Sequence, residues 1–176
     1  MPALSAGLLI FRIRDDHVVE VLIAHPGGPF WSKKDLAAWS IPKGEYEVGE
    51  DPMSVAEREF IEELGSPAPL GTKLDLGELK QPSGKRIQVW AIEGEFDASQ
   101  TKSNTFEMEW PPKSGTMAEF PEVDRASWMT LSLARLKLVK GQVGFMDRLL
   151  NALEEAGQRG LSEGDSNEPG PQESLF

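Results

Sequence analysis

Runs of aliphatic and β-branched residues predict a chain rich in β-strands. Five such runs occupy residues 8–13, 18–24, 74–80, 87–92 and 126–131. Asp15 and Asp16 separate the first two runs, and Pro82-Ser83-Gly84 separates the third from the fourth, so each pair is predicted to form a hairpin. Residues 39–41 are a further short strand candidate, which ends at Pro42.

Two segments have the periodicity of amphipathic helices. For residues 52–64, Asp51 is a suitable N-cap, Pro52 stands at the first helical position, and Gly65 is placed to end the helix. The apolar residues that would form its core-facing stripe are Met53, Ala56, Phe60 and Leu64. The second helix is predicted over residues 141–156.

Three segments lack any regular period. The density of Pro and Gly predicts a loop over residues 25–31, which makes His25 a loop residue. Residues 97–121 are polar and marked by proline, so they are expected to be a long irregular excursion. Residues 157–176 contain four Gly, two Pro and four acidic residues against one Arg. We therefore expect a domain over residues 1–156, followed by a disordered acidic tail over residues 157–176.

Composition narrows the class of protein. A length of 176 residues suits one domain, and the absence of cysteine excludes disulfides. The net charge of -11 argues against a surface that binds nucleic acid, although a bound cation would still permit small phosphate substrates. No apolar run approaches the roughly 20 residues that a membrane span needs, and no targeting pattern is evident, so a cytoplasmic protein without membrane contact is expected.

The first predicted helix concentrates acidic groups on one side. At about 100° per residue, Glu59, Glu62 and Glu63 fall beside the core stripe, and Arg58 lies next to them. Glu59 and Glu63 are like charges four residues apart, so they repel each other, and burial would raise that cost. Clustered carboxylate oxygens suit Mg²⁺ or Mn²⁺, and the chain bend before Gly44 can add a backbone carbonyl.

This acidic segment, residues 44–65, resembles the Nudix box of the Nudix hydrolase superfamily. The matching residues are Gly44, Glu50, Arg58, Glu59, Phe60, Glu62, Glu63 and Gly65. The segment departs from the pattern at Ser66, where the family has an aliphatic residue that helps to pack the following loop. Through residues 25–31 and 106–112, the wider chain resembles the MutT-like branch near the diadenosine tetraphosphate hydrolases.

The resemblance implies an α/β/α sandwich with a mixed β-sheet, and it assigns roles to the box residues. Glu62, Glu63 and the Gly44 carbonyl would hold Mg²⁺ or Mn²⁺. Glu59 would be a further metal ligand or the base that activates water. Arg58 would orient Glu59, and Glu50 would support the metal site.

Many family members add one acidic residue from a loop well after the box. Glu122 is the first candidate, because it precedes the predicted strand that contains Trp128. Glu119 is the second candidate, followed by Glu107 and Glu109. An ordinary solvated acid remains the alternative for each.

Substrate contacts are predicted for Lys43, which adjoins Gly44 and can meet a phosphate, and for Phe30 and Trp31. The two aromatic side chains would either stack on a base or pin their loop to the core. The expected activity is hydrolysis of a pyrophosphate bond in a nucleoside triphosphate or a dinucleoside polyphosphate. The alternatives are an ADP-ribose or nucleotide-sugar pyrophosphatase, which Pro82 weakly favours, and a Nudix-fold nucleotide sensor without turnover. Relatives are often homodimers.

Overall fold

A mixed β-sheet forms the centre of the fold. The structure, a computed structural model, describes residues 3–167. Its strands are β1 Leu4–Ile13, β2 Val19–Pro26, β3 Lys43–Tyr46, β4 Lys73–Lys80, β5 Arg86–Glu93, β6 Thr105–Glu109, β7 Met117–Pro121 and β8 Val123–Thr130. Its α-helices are α1 Pro52–Leu64, α2 Leu131–Lys137 and α3 Gly144–Glu155. None of these helices has the length and apolar character that crossing a membrane requires.

Strand β1 lies in the middle of the sheet, whose order is β4-β5-β1-β2-β8. The pair β1–β5 is parallel, and the other pairs are antiparallel. Strand β3 pairs with the first half of β1, which places Gly44 opposite Ala6. The acidic segment 44–65 is thus attached to the centre of the sheet, and both predicted hairpins, β1–β2 and β4–β5, are confirmed.

Helices cover both faces of the sheet. Side chains of β1 point alternately to the two faces, so each face has an apolar surface against which a helix packs. Leu8 and Ile10 pack with Phe60 of α1 on one face. Leu9 and Phe11 belong to the cluster on the other face, which also contains Leu131, Leu133, Phe145, Met146 and Leu149 of α2 and α3. The predicted α/β/α sandwich is therefore confirmed.

Helix α1 begins and ends where the sequence predicts. The Asp51 side chain accepts a hydrogen bond from Ser54 N at 3.2 Å, and Pro52 opens the first turn. Gly65 closes the helix at φ 84°, a conformation that costs glycine little, and its N–H donates to the Ile61 carbonyl. Every charged group of the box helix is thereby held in a defined register.

Two predictions about local structure are wrong. Residues 97–121 are not an irregular excursion, because strands β6 and β7 pair into a two-stranded antiparallel sheet. Residues 39–41 form only isolated bridges, Ser40 with Ala24 and Trp39 with Leu138, and the strand begins later, at Lys43. The pairing of β6 with β7 occurs within the 97–121 segment, whereas residues 39 and 40 meet partners from other parts of the chain, so tertiary contacts decide the conformation there.

Part of the segment that we expected to be a disordered tail is ordered against the domain. Ser162 forms a parallel bridge with Val18, and its N–H donates to the His17 carbonyl. The Glu163 carboxylate accepts from Arg135 Nε at 2.6 Å, so two anchors hold this stretch. Backbone pairing and this ion pair offset the entropy cost on which the prediction was based. The remainder of the predicted tail, 168–176, lies outside the described residues.

Candidate active site

Helix α1 and strand β3 are packed so closely that Glu59 lies directly against the backbone of Gly44. A Cβ atom at residue 44 would lie 2.0 Å from Glu59 Cδ and 2.3 Å from Glu59 Oε1. Only glycine leaves room for the carboxylate at this position. The backbone of Gly44 and the side chain of Glu59 therefore share one small space, as the sequence predicts for a site that combines both.

Glu63 is the most strongly perturbed acid of this site. The pKa of its carboxyl group is raised to about 8, mainly by burial, and the negative charges of Glu59 and Glu122 contribute to the increase. The positive charge of Lys43 and a hydrogen bond from the Lys43 backbone N–H oppose this change. A carboxylate in this position is unfavourable unless a cation lies beside it.

Glu59 shows the same effect in a weaker form. Burial and then the charge of Glu62 raise the pKa of the Glu59 carboxyl, and Glu122 adds to the increase. Arg58 and Lys43 lower it. The negative charges of the acidic side chains on α1 and at residue 122 thus repel one another.

Arg58 lies between two acids but holds neither tightly. Its Nη1 atom is 3.8 Å from Glu50 Oε2, and its Nη2 atom is 3.9 Å from Glu59 Oε1. About half of the Arg58 side chain is exposed, so each ion pair contributes little to the free energy of folding. Glu50 Oε1 also accepts a hydrogen bond from Glu47 N at 3.0 Å, which braces the turn before α1.

Of the four acids considered for the position after the box, the structure brings Glu122 to the cluster. Its backbone is held on both sides, since its carbonyl accepts from Gly27 N and its N–H donates to the Asn104 carbonyl, each at 2.9 Å. Glu107, Glu109 and Glu119 are exposed on the outer face of the β6–β7 hairpin, where Glu107 lies opposite Glu119. None of these three contributes to the raised pKa of Glu59 or Glu63.

The carboxylates of this cluster and the Gly44 carbonyl are suitable ligands for a divalent cation, but the side chains are not close enough together to form a metal site. Among residues 3–167, no three acidic or histidine side chains have the spacing of a metal site. Mutual repulsion and burial act on Glu59 and Glu63, as their raised pKa values show, and a cation would relieve both effects. Glutamate side chains have three rotatable bonds, so these carboxylates can rotate relative to one another.

Lys43 connects the carboxylates to a basic cleft of about 460 Å³. The cationic side chains that line this cleft are Lys43, Lys85, Arg86 and Lys140. Trp31 forms part of the wall, and Pro82 lies in the β4–β5 turn at its rim. A separate cavity of about 510 Å³ lies around Arg14 and Thr130, and neither Lys43 nor Glu122 lines it.

Phe30 and Trp31 border a second cleft, of about 430 Å³, which also reaches Glu122. Its opposite wall consists of Phe106 and Met108 of strand β6. Sequence reasoning missed this wall, although Phe106, Met108 and Trp110 alternate with polar residues at the period of a strand. The predicted substrate residues Lys43, Phe30 and Trp31 therefore line two clefts, and Trp31 is common to both.

The prediction that His25 is a loop residue is wrong. His25 is fully buried near the end of β2, with Nδ1 2.9 Å from Asp124 Oδ1 and Nε2 2.6 Å from the Lys34 carbonyl. These contacts tie the segment that carries Phe30 to the strand that follows Glu122. His25 therefore stabilises the site. Its contact with Asp124 of β8, 99 residues later, could not be predicted from the local sequence.

Substitution of Gly44 by alanine is expected to lower kcat by about a hundredfold. The reason is that the added methyl group would overlap the Glu59 carboxylate and displace it. Steady-state kinetics with Mg²⁺ measures this effect, and circular dichroism reports the fold. Val48→Ala is the matched control, since Val48 lies four residues further along and is 82% exposed. Near-normal activity of Gly44→Ala would contradict the placement of Glu59 in the reaction centre.

Comparison with known proteins identifies the family. A family model described as NUDIX domain matches residues 1–149. The chain is 27% identical over 129 residues to an 8-oxo-(d)GTP phosphatase from Mycolicibacterium smegmatis, an alignment that covers 68% of this chain and 38% of that protein. The chain thus spans about two fifths of the length of the curated relative that it matches.

Solved structures with the same fold agree with this match. An Ap4A hydrolase binary complex from C. elegans superimposes with a TM-score of 0.58 at 18% identity, covering 86% of this chain and 98% of that chain. The NUDIX domain of Shewanella oneidensis NrtR, complexed with ADP ribose, gives a TM-score of 0.57 at 15% identity, covering 87% and 89% of the two chains. At these identities the likeness shows the fold alone.

Proposed function

Because this chain belongs to the Nudix hydrolase family, we propose that it hydrolyses a pyrophosphate bond in a nucleoside triphosphate or a dinucleoside polyphosphate, with Mg²⁺ or Mn²⁺. The observation that carries the proposal is the acidic cluster beside Gly44. Burial and mutual repulsion raise the pKa of both Glu59 and Glu63, and Glu122 reaches the same place from a distant segment. Such an arrangement is unfavourable for the apo protein and favourable for a cation-binding one.

The residues of the cluster take distinct roles in this proposal. The cation, when bound, neutralises charge on the phosphates and lowers the pKa of the attacking water. Glu62, Glu63 and the Gly44 carbonyl hold it, and Glu59 either joins them or accepts the proton of the water. Arg58, which lies between Glu50 and Glu59, limits the orientations of the Glu59 carboxylate.

The basic cleft supports a substrate with several phosphates. Lys43 projects from the strand that carries Gly44, so its ammonium group can contact a phosphate next to the scissile bond. Lys85, Arg86 and Lys140 extend the positive charge along the cleft, although Lys85 is also paired with Glu45 at 3.0 Å. The curated relative, named for a nucleoside triphosphate derivative, is consistent with this class of substrate.

ADP-ribose or a nucleotide sugar is the second candidate substrate. Pro82, which weakly favours that class in the sequence, lines the basic cleft, where it can contact the non-phosphate part of a substrate. A substrate panel separates the candidates: ATP, 8-oxo-dGTP, diadenosine tetraphosphate and ADP-ribose, each with Mg²⁺ and with Mn²⁺, with the released phosphates resolved by chromatography. Absence of turnover across the panel, together with tight binding of one member, would favour the sensor function and contradict the enzyme.

Glu122→Gln is expected to lower kcat by about tenfold to a hundredfold and to raise the Mg²⁺ concentration needed for half-maximal activity. The reason is that Glu122 acts electrostatically on both Glu59 and Glu63. Glu119→Gln makes the same change of charge three residues away, on the outer face of the hairpin, and is expected to behave as wild type. Equal effects of the two substitutions would refute the assignment of Glu122.

A further inference from the structure

The three residues before strand β6, which we call the bridge segment, lie against the C-terminal end of helix α1. At one end of the bridge segment, the Lys102 N–H donates to the Leu64 carbonyl at 3.2 Å. At its other end, the Asn104 N–H donates to the Glu62 carbonyl at 2.8 Å. A Cβ atom at Gly65 would lie 2.5 Å from the Lys102 carbonyl oxygen, so the two backbones are in direct contact. The last carbonyls of a helix lack partners within the helix, and the bridge segment supplies them.

Asn104 also connects the end of α1 to Glu122. The Asn104 carbonyl accepts a hydrogen bond from the Glu122 N–H at 2.9 Å, while its own N–H is bound to the Glu62 carbonyl. Glu62 lies in the last turn of α1, whereas Glu122 follows strand β7, far along the chain. The backbone of one residue thus joins two acidic residues of the candidate active site.

The Ser103 side chain holds the residue that follows Glu122. Its hydroxyl oxygen accepts a hydrogen bond from Val123 N at 3.0 Å. Its one hydroxyl proton has two carbonyl oxygens within reach, that of Asn104 at 2.8 Å and that of Val123 at 3.0 Å. Val123 is buried and begins β8, the outer strand of the sheet. Ser103 therefore supplies hydrogen bonds that a neighbouring strand would otherwise make.

These contacts determine where Glu122 lies. Glu122 is exposed, so burial of its side chain does not fix its position. Its backbone is fixed instead, because its N–H is bound to the bridge segment and its carbonyl accepts from Gly27 N at 2.9 Å. The next residue, Val123, is held by Ser103. The distance between the Glu122 carboxylate and the acids of α1 therefore depends on the bridge segment.

We propose that Ser103 is a positioning residue, whose hydroxyl holds the backbone at Val123 so that the Glu122 carboxylate can meet the cation held by α1. This inference rests on the proposed function, because there Glu122 completes the metal site. Ser103 acts through Glu122 and not by contact with the substrate. Residues that orient the ligands of a metal ion typically contribute about tenfold to a hundredfold to metal affinity or activity.

Ser103→Ala is expected to raise the Mg²⁺ concentration needed for half-maximal activity about tenfold, while kcat at saturating Mg²⁺ changes less than about threefold. The reason is that the less restrained Glu122 carboxylate still reaches the cation when Mg²⁺ is abundant. Ser103→Thr keeps the hydroxyl group and is expected to behave as wild type. Thr101→Val is the matched control, because it removes a nearby hydroxyl group that donates to the Ala98 carbonyl at 2.8 Å.

A double variant separates positioning of Glu122 from a general effect on the structure. If Ser103 acts through Glu122, adding Ser103→Ala to Glu122→Gln leaves the Mg²⁺ requirement unchanged to within about twofold. An equal effect of Ser103→Ala in the wild-type and Glu122→Gln backgrounds would overturn the inference. Wild-type behaviour of Ser103→Ala would also overturn it, as would a Ser103→Thr variant as impaired as Ser103→Ala.

Amide hydrogen exchange tests the bridge segment independently of turnover. In the metal-free wild-type protein, the Glu122 and Val123 amides are expected to be protected, because both donate hydrogen bonds to the bridge segment. In Ser103→Ala their exchange is expected to accelerate about tenfold, whereas Thr101→Val is expected to match wild type.

Failure of the proposed function would be recognised separately, since the wild-type protein would then hydrolyse no member of the substrate panel while its amides remained measurable. Unprotected Glu122 and Val123 amides in wild type would overturn the inference about Ser103, even if Ser103→Ala folds poorly. Equal exchange rates in wild type and Ser103→Ala would overturn it as well.

Discussion

Replacement of Glu62 or Glu63 by glutamine is expected to lower kcat by orders of magnitude, with the fold intact. Both side chains project from α1 beside Glu59, and Glu63 is largely buried next to Lys43. Glutamine keeps the shape of the side chain but removes the charge that a divalent cation requires. The fold survives because its core contacts come from Ala56, Phe60 and Leu64 on another side of the helix.

Glu57→Gln provides the matched control for this experiment. Glu57 lies on the same helix, but its carboxylate is half exposed and 3.2 Å from Lys73 Nζ, on the side of α1 away from the cluster. Steady-state kinetics with a substrate from the panel and thermal unfolding should be measured for all three variants. Near-normal kcat of both Glu62→Gln and Glu63→Gln would show that the metal site lies elsewhere.

Without a divalent cation, the protein is expected to lose stability as the pH rises from about 4.5 to about 8. The pKa of Glu63 is 4.5 in an unfolded chain and about 8 in the folded protein. Within this window the unfolded state has released its proton and the folded state retains it, so each pH unit lowers the free energy of unfolding by up to about 1.4 kcal/mol. The raised pKa of Glu59 acts in the same direction.

Thermal unfolding in EDTA at several pH values measures this effect. Glu63→Gln is expected to weaken the dependence on pH, because the glutamine amide does not ionise, and to be more stable than wild type near pH 8. Added Mg²⁺ is expected to restore stability in wild type, since a cation favours the ionised carboxylates. If Glu63→Gln and wild type lose stability with the same slope, burial of Glu63 is not the cause.

Local features of this protein were readable from the chain itself. The helix over residues 52–64 was predicted to its ends, because Asp51, Pro52 and Gly65 act on their own backbone neighbours. The grouping of Glu59, Glu62 and Glu63 follows from a rotation of 100° per residue, which holds in any helix. The family and the sandwich fold follow from this motif together with the strand pattern.

Long-range features were decided only by the tertiary structure. Four acids were candidates to complete the site, and the proposal of Glu122 depends on the packing of the 104–123 segment against Gly27 and α1. The cleft bordered by Phe30 and Phe106 depends on contacts of strand β6 and of Trp110 with a loop about 80 residues earlier. The periodicity of side chains determines which residues share one face of a helix or strand. The distance between two such elements depends instead on strand register and packing. The sequence by itself therefore determined that this protein carries a helix with clustered acidic side chains, and the tertiary structure decided which distant side chains surround it.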